Sequence, residues 1–326
     1  MNDNYLEVLE QYEGETTEVR RGRGAWICER SDGVKLLKEY RGTLKRLEFE
    51  EAVLAGLRTL GLGSVDQYVR NREGELFSTA EDGTRFILKD WFTDRECSLK
   101  DSREILGAVS WIAKLHWAFR QIPWQEDWNS GSMLPPGLAQ EMQRHSREMK
   151  RVRTFISGKR KKSEFELCVM QHFEEYYGQA LKAQKGLELL GKGQGEDRLF
   201  LCHGDLNQHH ILMGGGQAAF IEFSQMHRGE QMEDLYHFMR KVMEKHGWNE
   251  HLGLSMLETY DRILPVGEQD KECLYYLFLY PEKYWKQLNY YNNANKAWVP
   301  EKNVEKLKNL QIQQEYKMQF LRKIQQ

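Results

Sequence analysis

The stretch at residues 201–212, LCHGDLNQHHIL, constrains the fold of this chain more than any other feature. It runs into an apolar segment at 211–213, and a second apolar segment follows at 218–223. Three consecutive glycines lie between the two segments, as expected for the turn of a β-hairpin. The sequence therefore predicts a polar loop that contains Asp205 and leads into two short strands, the second of which ends near Glu222.

The polar residues of this hairpin match the needs of phosphoryl transfer, which requires a carboxylate near the attacking hydroxyl and oxygen ligands for magnesium. Kinase-type loops place an Asp after a His-Gly or His-Arg pair, an Asn five residues later and an Asp on the next hairpin. Asp205 occupies the first position, but His210 stands where Asn is expected and Glu222 where Asp is expected. His-Gly-Asp also occurs in ordinary surface turns. The hairpin that follows it favours the catalytic interpretation.

Glu222 and His210 are the predicted metal-binding residues. Glu222 keeps an oxygen ligand, although its extra methylene displaces the carboxylate by over an ångström. His210 offers nitrogen, a poor ligand for magnesium, so we expect magnesium or manganese with one metal site lost. His203 is expected to orient the loop. Asp234, which opens a predicted helix, is expected to anchor the loop, and an N-cap is the alternative reading of this residue.

The order of predicted elements indicates an α+β, two-lobed protein-kinase-like fold. Strands are predicted at 25–28, 34–38, 67–69, 76–78 and 86–89, with a helix at 44–60. Amphipathic helices are predicted at 102–119, 137–155, 165–190, 234–245, 252–264 and 270–280, and from residue 300 onward. We expect a small antiparallel β lobe with one main helix at residues 1–92, which binds nucleotide. A large helical lobe is expected at 93–326, with the catalytic-loop hairpin at 201–224.

Lys38 is the candidate for the lysine that a β lobe supplies to the nucleotide phosphates, because it ends a strand after a tight hairpin. Glu50 is followed by apolar residues three, four and seven positions later, which puts its carboxylate on the buried face of a helix. A buried carboxylate needs a partner. The sequence therefore predicts a Lys38–Glu50 ion pair, with Glu51 as the competing assignment for the glutamate.

Further nucleotide-binding candidates flank these residues. Gly22 and Gly24 belong to a loop that would cover the phosphates, although two glycines near a hairpin are equally typical of a simple turn. Lys89 and Asp90 lie at the start of the predicted connection between the lobes.

The bulk composition excludes several classes of function. The 47 basic and 49 acidic residues give a net charge of -2, which argues against a general nucleic-acid binder. No run of about eighteen apolar residues is present, so no membrane insertion is expected. The N-terminal residues lack the apolar core of a signal peptide, and the five cysteines show no pairing pattern, so a cytoplasmic location is expected.

Five segments of the chain resemble the CotS-like spore coat protein family, within the aminoglycoside phosphotransferase and choline kinase superfamily. They are FILKDWFTDREC at 86–97, IAKLH at 112–116, LCHGDLNQHHILM at 201–213, DLYHFMRKVMEK at 234–245 and YPEKYWKQLNYYNNANKAW at 280–298. The resemblance implies a kinase-like fold. If the chain is active, its cofactors are ATP with Mg²⁺ or Mn²⁺, and its acceptor is a small-molecule hydroxyl on a sugar, amino sugar or aminoalcohol. The resemblance also implies spore coat proteins as partners and the spore coat as a location.

Two functions remain open at this point. The first is an ATP-dependent phosphotransferase, favoured by Lys38, Glu50 and Asp205. The second is a catalytically impaired pseudokinase that serves as a coat structural or assembly component without a cofactor, favoured by His210 and Glu222.

The density of aromatic residues near the C-terminus predicts a packed cluster, some of whose rings line the acceptor site. A purely structural cluster is the favoured alternative. The residues are Tyr284, Trp285, Tyr290, Tyr291 and Trp298.

Overall fold

The computed structural model describes residues 4–62, 64–192, 198–214, 217–294 and 299–325. These residues form two compact units. The first unit contains the chain up to Met133 together with Leu201–His227, and the second contains Leu134–Phe200 and the chain from Arg228 onward. The predicted catalytic hairpin therefore packs in the same unit as the N-terminal sheet. The predicted lobe boundary at 92/93 stays a prediction.

The first unit begins with an antiparallel sheet and one main helix. Its elements are α1 (Asn4–Leu9), β1 (Thr16–Gly22), β2 (Ala25–Arg30), β3 (Gly33–Glu39), α2 (Leu44–Thr59), β4 (Tyr68–Val69), β5 (Ser78–Thr79) and β6 (Arg85–Asp90). The strands pair in the order β1-β2-β3-β6-β4, and β5 also pairs with β6; all these pairings are antiparallel. The five predicted strands and the predicted helix are confirmed.

Strand β1 and helix α1 are absent from the sequence-based prediction. Strand β1 reads TTEVRRG and contains no fully buried residue. Its side chains therefore show no apolar alternation, and it forms by pairing with β2 as the charged edge of the sheet.

The chain also forms several short strands and one long helix outside this sheet. These are β7 (Arg95–Glu96), α3 (Ser102–Gln121), β8 (Phe200–Cys202), β9 (Ile211–Gly214), β10 (Gln217–Phe220) and β11 (His227–Gly229). Strands β9 and β10 pair antiparallel, with Phe220 opposite Ile211, and β7 pairs with the other edge of β9. The predicted hairpin is confirmed. A parallel bridge between Val65 and Phe220 adds the segment after α2 to the end of β10.

The second unit is helical. Its helices are α4 (Leu138–Ser157), α5 (Glu164–Lys192), α6 (Gln231–Lys245), α7 (Glu250–Asp261), α8 (Glu268–Leu279), α9 (Glu282–Asn293) and α10 (Glu301–Ile324). All predicted helices are present, and α9 is an additional one. No helix in the described ranges has both the length and the hydrophobicity needed to cross a membrane.

The aromatic cluster on α9 is a packing feature of the second unit. Tyr284 and Tyr291 are fully buried, and the Tyr284 hydroxyl donates a 2.8 Å hydrogen bond to the Val169 carbonyl. Trp285 stacks on His145 with ring centroids 3.6 Å apart. These contacts confirm the packing prediction for three of the rings. Tyr290 is 45 % exposed, and Trp298 lies outside the described residues.

Candidate functional site

An ion pair between Lys38 and Glu222 lies at the centre of the candidate site. Lys38 comes from β3 and Glu222 follows β10, and Nζ lies 2.8 Å from Oε2 and 3.1 Å from Oε1. Burial raises the pKa of Glu222, but Lys38, with smaller contributions from Lys89 and His210, outweighs burial and holds the pKa below its ordinary value. The Glu222 carboxylate is therefore ionised at neutral pH and fixed beside the ammonium.

The predicted Lys38–Glu50 ion pair is wrong. Glu50 is buried, as its spacing predicts, but it pairs with Arg46 one turn earlier on α2, with Nε 2.6 Å from Oε1. The Tyr68 hydroxyl also donates to Glu50. Positions i and i+4 of a helix share one face, so Arg46 reaches the carboxylate without help from the sheet. Glu51, the competing assignment, pairs with a surface arginine.

The loop before β9 presents the Asp205 carboxylate, which is 54 % exposed. Its Oδ1 accepts a 3.1 Å hydrogen bond from the Asn207 amide. His203 is fully buried, and its Nδ1 accepts the Asp205 N–H at 3.3 Å. Its Nε2 must then carry the proton and donates to the Ile221 carbonyl at 3.0 Å. His203 thus connects the loop to the residue before Glu222, which is the contact expected of a loop anchor.

The chain fits around this loop because position 204 is glycine. Gly204 has φ +82°, and a Cβ here would collide with the Gln225 carbonyl. Glycine alone adopts this conformation without strain.

His210 occupies the position where an asparagine is expected. Its Nδ1 lies 2.7 Å from the Asp205 carbonyl oxygen and therefore donates to it. That bond leaves the lone pair on Nε2, which makes no hydrogen bond within the part of the chain that the structure describes. The side chain is 18 % exposed, so the Nε2 lone pair is available to a metal ion in a partly covered site.

These two side chains can hold a divalent metal ion only if another molecule supplies further ligands to it. Among the described residues, no group of three or more His, Cys, Asp or Glu is arranged to hold a metal ion. Glu222 contributes a carboxylate and His210 a nitrogen. Magnesium in nucleotide sites is commonly held by one or two carboxylates plus phosphate oxygens and waters. The residues therefore fit an ion that arrives with a nucleotide.

The backbone at Glu222 is left-handed, with φ 66° and ψ 55°, a conformation that costs free energy in a residue other than glycine. Neighbouring groups hold it on both sides. The Glu222 N–H donates to Asp66 Oδ2 at 3.1 Å, and Arg46 Nη2 donates to the Ser224 carbonyl at 2.9 Å. The Ile221 N–H donates to the carbonyl of residue 210 at 3.2 Å. The turn that carries the candidate metal ligand is thus fixed at several points.

Asp66 and Arg46 are absent from the sequence-based prediction. The sequence holds a signal for each residue: Asp66 directly precedes the predicted strand at 67–69, and Arg46 lies four residues before Glu50 on the same helix face. Asp66 is 1 % exposed and lies 2.9 Å from Lys89 Nζ. Burial raises the pKa of Asp66 to about 6, although Lys89 and the Glu222 amide act in the opposite direction.

The β1–β2 hairpin, predicted to cover phosphates, is fastened at its tip. Arg23 and Gly24 both have positive φ, which is the pattern of a type I′ turn between the paired residues Gly22 and Ala25. The Arg23 guanidinium lies 2.5 Å from Glu96 and donates to the carbonyl of residue 209 at 3.0 Å. The hairpin tip therefore touches the loop that carries the candidate catalytic carboxylate.

The remaining predicted site residues have these positions. Lys89 is buried against Asp66, and Asp90 pairs with Lys35 at 2.7 Å. Asp234 is fully buried in the first turn of α6, which begins at Gln231, so Asp234 is not its N-cap. The nucleotide-binding and loop-anchoring roles of these residues stay predictions.

Comparison with known proteins identifies relatives of this chain. No protein-family model matches it. Spore coat protein S of Bacillus subtilis is 23 % identical over 312 residues, which cover 94 % of this chain and 88 % of that protein.

Solved structures share the fold. An aminoglycoside phosphotransferase from Alicyclobacillus acidocaldarius has a TM-score of 0.84 and 14 % identity, covering 98 % of this chain and 94 % of that one. Amicoumacin kinase hAmiN in complex with AMP-PNP, Ca²⁺ and Ami has a TM-score of 0.61 and 12 % identity, covering 98 % and 94 %. The α+β kinase-like fold is therefore confirmed, as is the resemblance to the spore coat proteins. This chain has the kinase-like fold of the aminoglycoside phosphotransferases and is similar to spore coat protein S along most of its length.

Proposed function

We propose that this chain is an ATP-dependent phosphotransferase that acts on the hydroxyl group of a small molecule, of the sugar, amino sugar or aminoalcohol class. The observation that carries the proposal is the Lys38–Glu222 ion pair at 2.8 Å, within the same compact unit as the exposed Asp205 carboxylate. The fold shared with a kinase that binds AMP-PNP and Ca²⁺ supports a nucleotide and a divalent ion as ligands.

Each residue has a distinct role in this proposal. Asp205 is accessible and accepts the proton of the acceptor hydroxyl. The hydroxyl oxygen bonds to the γ-phosphorus of ATP while the bond from that phosphorus to the bridging oxygen breaks, and ADP leaves with that oxygen. Lys38 binds phosphate oxygens, and Glu222 with His210 Nε2 holds the divalent ion. That ion supplies neutralisation of the charge on the transferring phosphoryl group. The His203 link keeps Asp205 and the turn at Glu222 in register.

A pseudokinase of the spore coat is the second candidate function. The observation that favours it is His210, which commits Nδ1 to the Asp205 carbonyl and offers nitrogen where magnesium prefers oxygen. The similarity to spore coat protein S supports coat proteins as partners and the coat as location. In this function the site binds nucleotide weakly and transfers nothing.

Thermal-shift measurements with ATP, ADP and AMP-PNP, each with no metal, Mg²⁺ or Mn²⁺, separate the two functions. At a nucleotide concentration of about 100 times Kd, binding stabilises the folded chain by about 2.7 kcal/mol, which raises Tm by several degrees. We expect a metal-dependent rise for the wild type and for Lys45→Met, which changes an exposed lysine on α2. Lys38→Met should remove most of it. A small rise that is independent of metal and of Lys38 would favour the pseudokinase.

A further inference from the structure

We propose that the buried Asp66–Lys89 ion pair is a positioning device for Glu222, which holds the Glu222 backbone left-handed and thereby sets the affinity of the site for metal-bound nucleotide. The inference rests on the proposed function for its ligand. The positioning of Glu222 by Asp66 and Lys89 is inferred from the geometry alone.

A single carboxylate oxygen joins two parts of the first unit. Asp66 Oδ2 lies 2.9 Å from Lys89 Nζ on β6 and accepts the Glu222 N–H at 3.1 Å. The side chains of Asp66 and Lys89 are 1 % and 6 % exposed. The other oxygen, Oδ1, has no hydrogen-bond partner among the described residues. The pair is therefore directed at the Glu222 amide and not at solvent.

Strands of two different sheets fix the two ends of this connection. The Asp66 N–H donates to the Phe220 carbonyl at 3.3 Å, and the Phe220 N–H donates to the Ser64 carbonyl at 2.9 Å. Lys89 lies on β6, which pairs with both β3 and β4, and its Nζ is 4.4 Å from the Tyr68 ring centroid. The carboxylate thus has little freedom to follow Glu222 if the turn relaxes.

The conformation of Glu222 needs such a fixed acceptor. A left-handed glutamate is strained, and such conformations persist where the surroundings over-determine them. In this conformation the Glu222 carboxylate contacts Lys38. Loss of the amide acceptor removes one restraint on the turn, and the carboxylate then samples positions away from Lys38. The metal-binding oxygen is misplaced as a result.

In this proposal Lys89 acts on Glu222 through Asp66. Its ammonium is covered, in contrast to that of Lys38, which is 38 % exposed. A buried ion pair is seldom more stabilising than an apolar pair of similar volume. Stability alone is therefore a poor reason for two charges at this place, and the bond to the Glu222 amide gives a better one.

Two double variants separate positioning from stability. Asp66→Asn/Lys89→Met removes both charges together but leaves an amide oxygen that accepts the Glu222 N–H. Asp66→Leu/Lys89→Met removes the acceptor as well. Arg30→Met is the control, because Arg30 is buried and holds the Glu13 and Gly14 carbonyls at the other end of the β1–β2 hairpin.

The first readout is hydrogen exchange at the Glu222 amide without nucleotide. We expect wild-type protection in the Asn/Met variant and in the Arg30→Met control, and exchange at least tenfold faster in the Leu/Met variant. The second readout is calorimetric Kd for AMP-PNP with and without Mn²⁺. The Leu/Met variant should bind metal-bound nucleotide at least tenfold more weakly than the Asn/Met variant, and this difference should shrink when Mn²⁺ is left out.

Equal amide protection in the two double variants would overturn the proposal. So would faster exchange together with an unchanged Kd for metal-bound nucleotide. A wild type that binds no nucleotide contradicts the proposed function instead, and the exchange measurement still decides whether the pair positions Glu222.

Discussion

Lys38 Nζ lies 2.8 Å from Glu222 Oε2, so the lysine of the sheet is paired with the candidate metal ligand and not with the glutamate of α2. Lys38→Met should lower kcat by a hundredfold or more, because the charge that stabilises the phosphates is lost. The side chain is 38 % exposed, so the free energy of unfolding should change by less than about 1 kcal/mol. Steady-state kinetics and urea unfolding measure the two effects. Lys45→Met is the matched control, and an equal loss of kcat in both variants would contradict the role of Lys38.

The tip of the β1–β2 hairpin is held by Arg23, which contacts Glu96 and the backbone carbonyl of residue 209. Glu96→Gln should speed hydrogen exchange across residues 20–25, since the pair that fastens the tip is weakened. Both side chains are more than a third exposed, so the stability change should be only about 0.5 kcal/mol and should shrink in high salt. Unchanged exchange at the tip in this variant would show that the contact does not restrain the hairpin.

Gly204 allows the catalytic loop to pass the Gln225 carbonyl with φ +82°. Gly204→Ala should therefore destabilise the chain by about 3 kcal/mol, since strain and collision add. Gly178→Ala is the control, because Gly178 is exposed in the middle of α5 with open space at its Cβ position. That change should stabilise by roughly 0.5–1 kcal/mol. Urea unfolding compares the two, and similar effects at both positions would contradict the collision at Gly204.

The sequence predicts most of the elements that carry the site, because hydrophobic periodicity and turn residues are local. Strands β2 and β3, helix α2 and the β9–β10 hairpin all follow from such patterns. Strand β1 does not follow from a local pattern, because it forms by pairing with β2 and its own side chains show no strand signal.

Partners of buried charges are harder to predict than the burial itself. The spacing around Glu50 indicates a buried carboxylate, and the structure confirms its burial. Its partner is the cation that lies nearest in the folded chain, and this is Arg46 on the same helix face. The Asp66–Lys89 pair joins residues 23 positions apart, so only the folded sheet brings them together.

His145 makes the second unit sensitive to acid. Burial lowers the pKa of His145 to about 4, below its ordinary value of 6.5. The unfolded chain then binds the proton first, so the stability contributed by the neutral ring is present above pH 6.5 and is lost as the pH falls towards 4. The loss amounts to at most about 3 kcal/mol. His145→Phe keeps a ring against Trp285 and should flatten urea-unfolding stability between pH 6.5 and 4. An equally steep pH dependence in the variant would contradict this assignment.

The two altered metal positions give a gain-of-function test. His210→Asn with Glu222→Asp restores the expected oxygen ligands and should raise magnesium-dependent turnover, by about a hundredfold if misplacement of the oxygens is the main defect. The wild type should favour Mn²⁺ over Mg²⁺, because His210 supplies nitrogen. Wild-type turnover that is already high with Mg²⁺, and unchanged in the double variant, would show that the site tolerates both residues.

The proposed role of Asp205 is to activate an acceptor hydroxyl for attack on ATP. The most direct measurement is acceptor-dependent release of ADP by the wild type and by Asp205→Ala, with Mn²⁺ and a panel of sugars, amino sugars and aminoalcohols. We expect that at least one acceptor raises ADP release by the wild type, and that this increment is at least a thousandfold smaller in Asp205→Ala, which should still bind AMP-PNP. Wild-type release that no acceptor raises above the Asp205→Ala level would contradict the claim and leave the pseudokinase function.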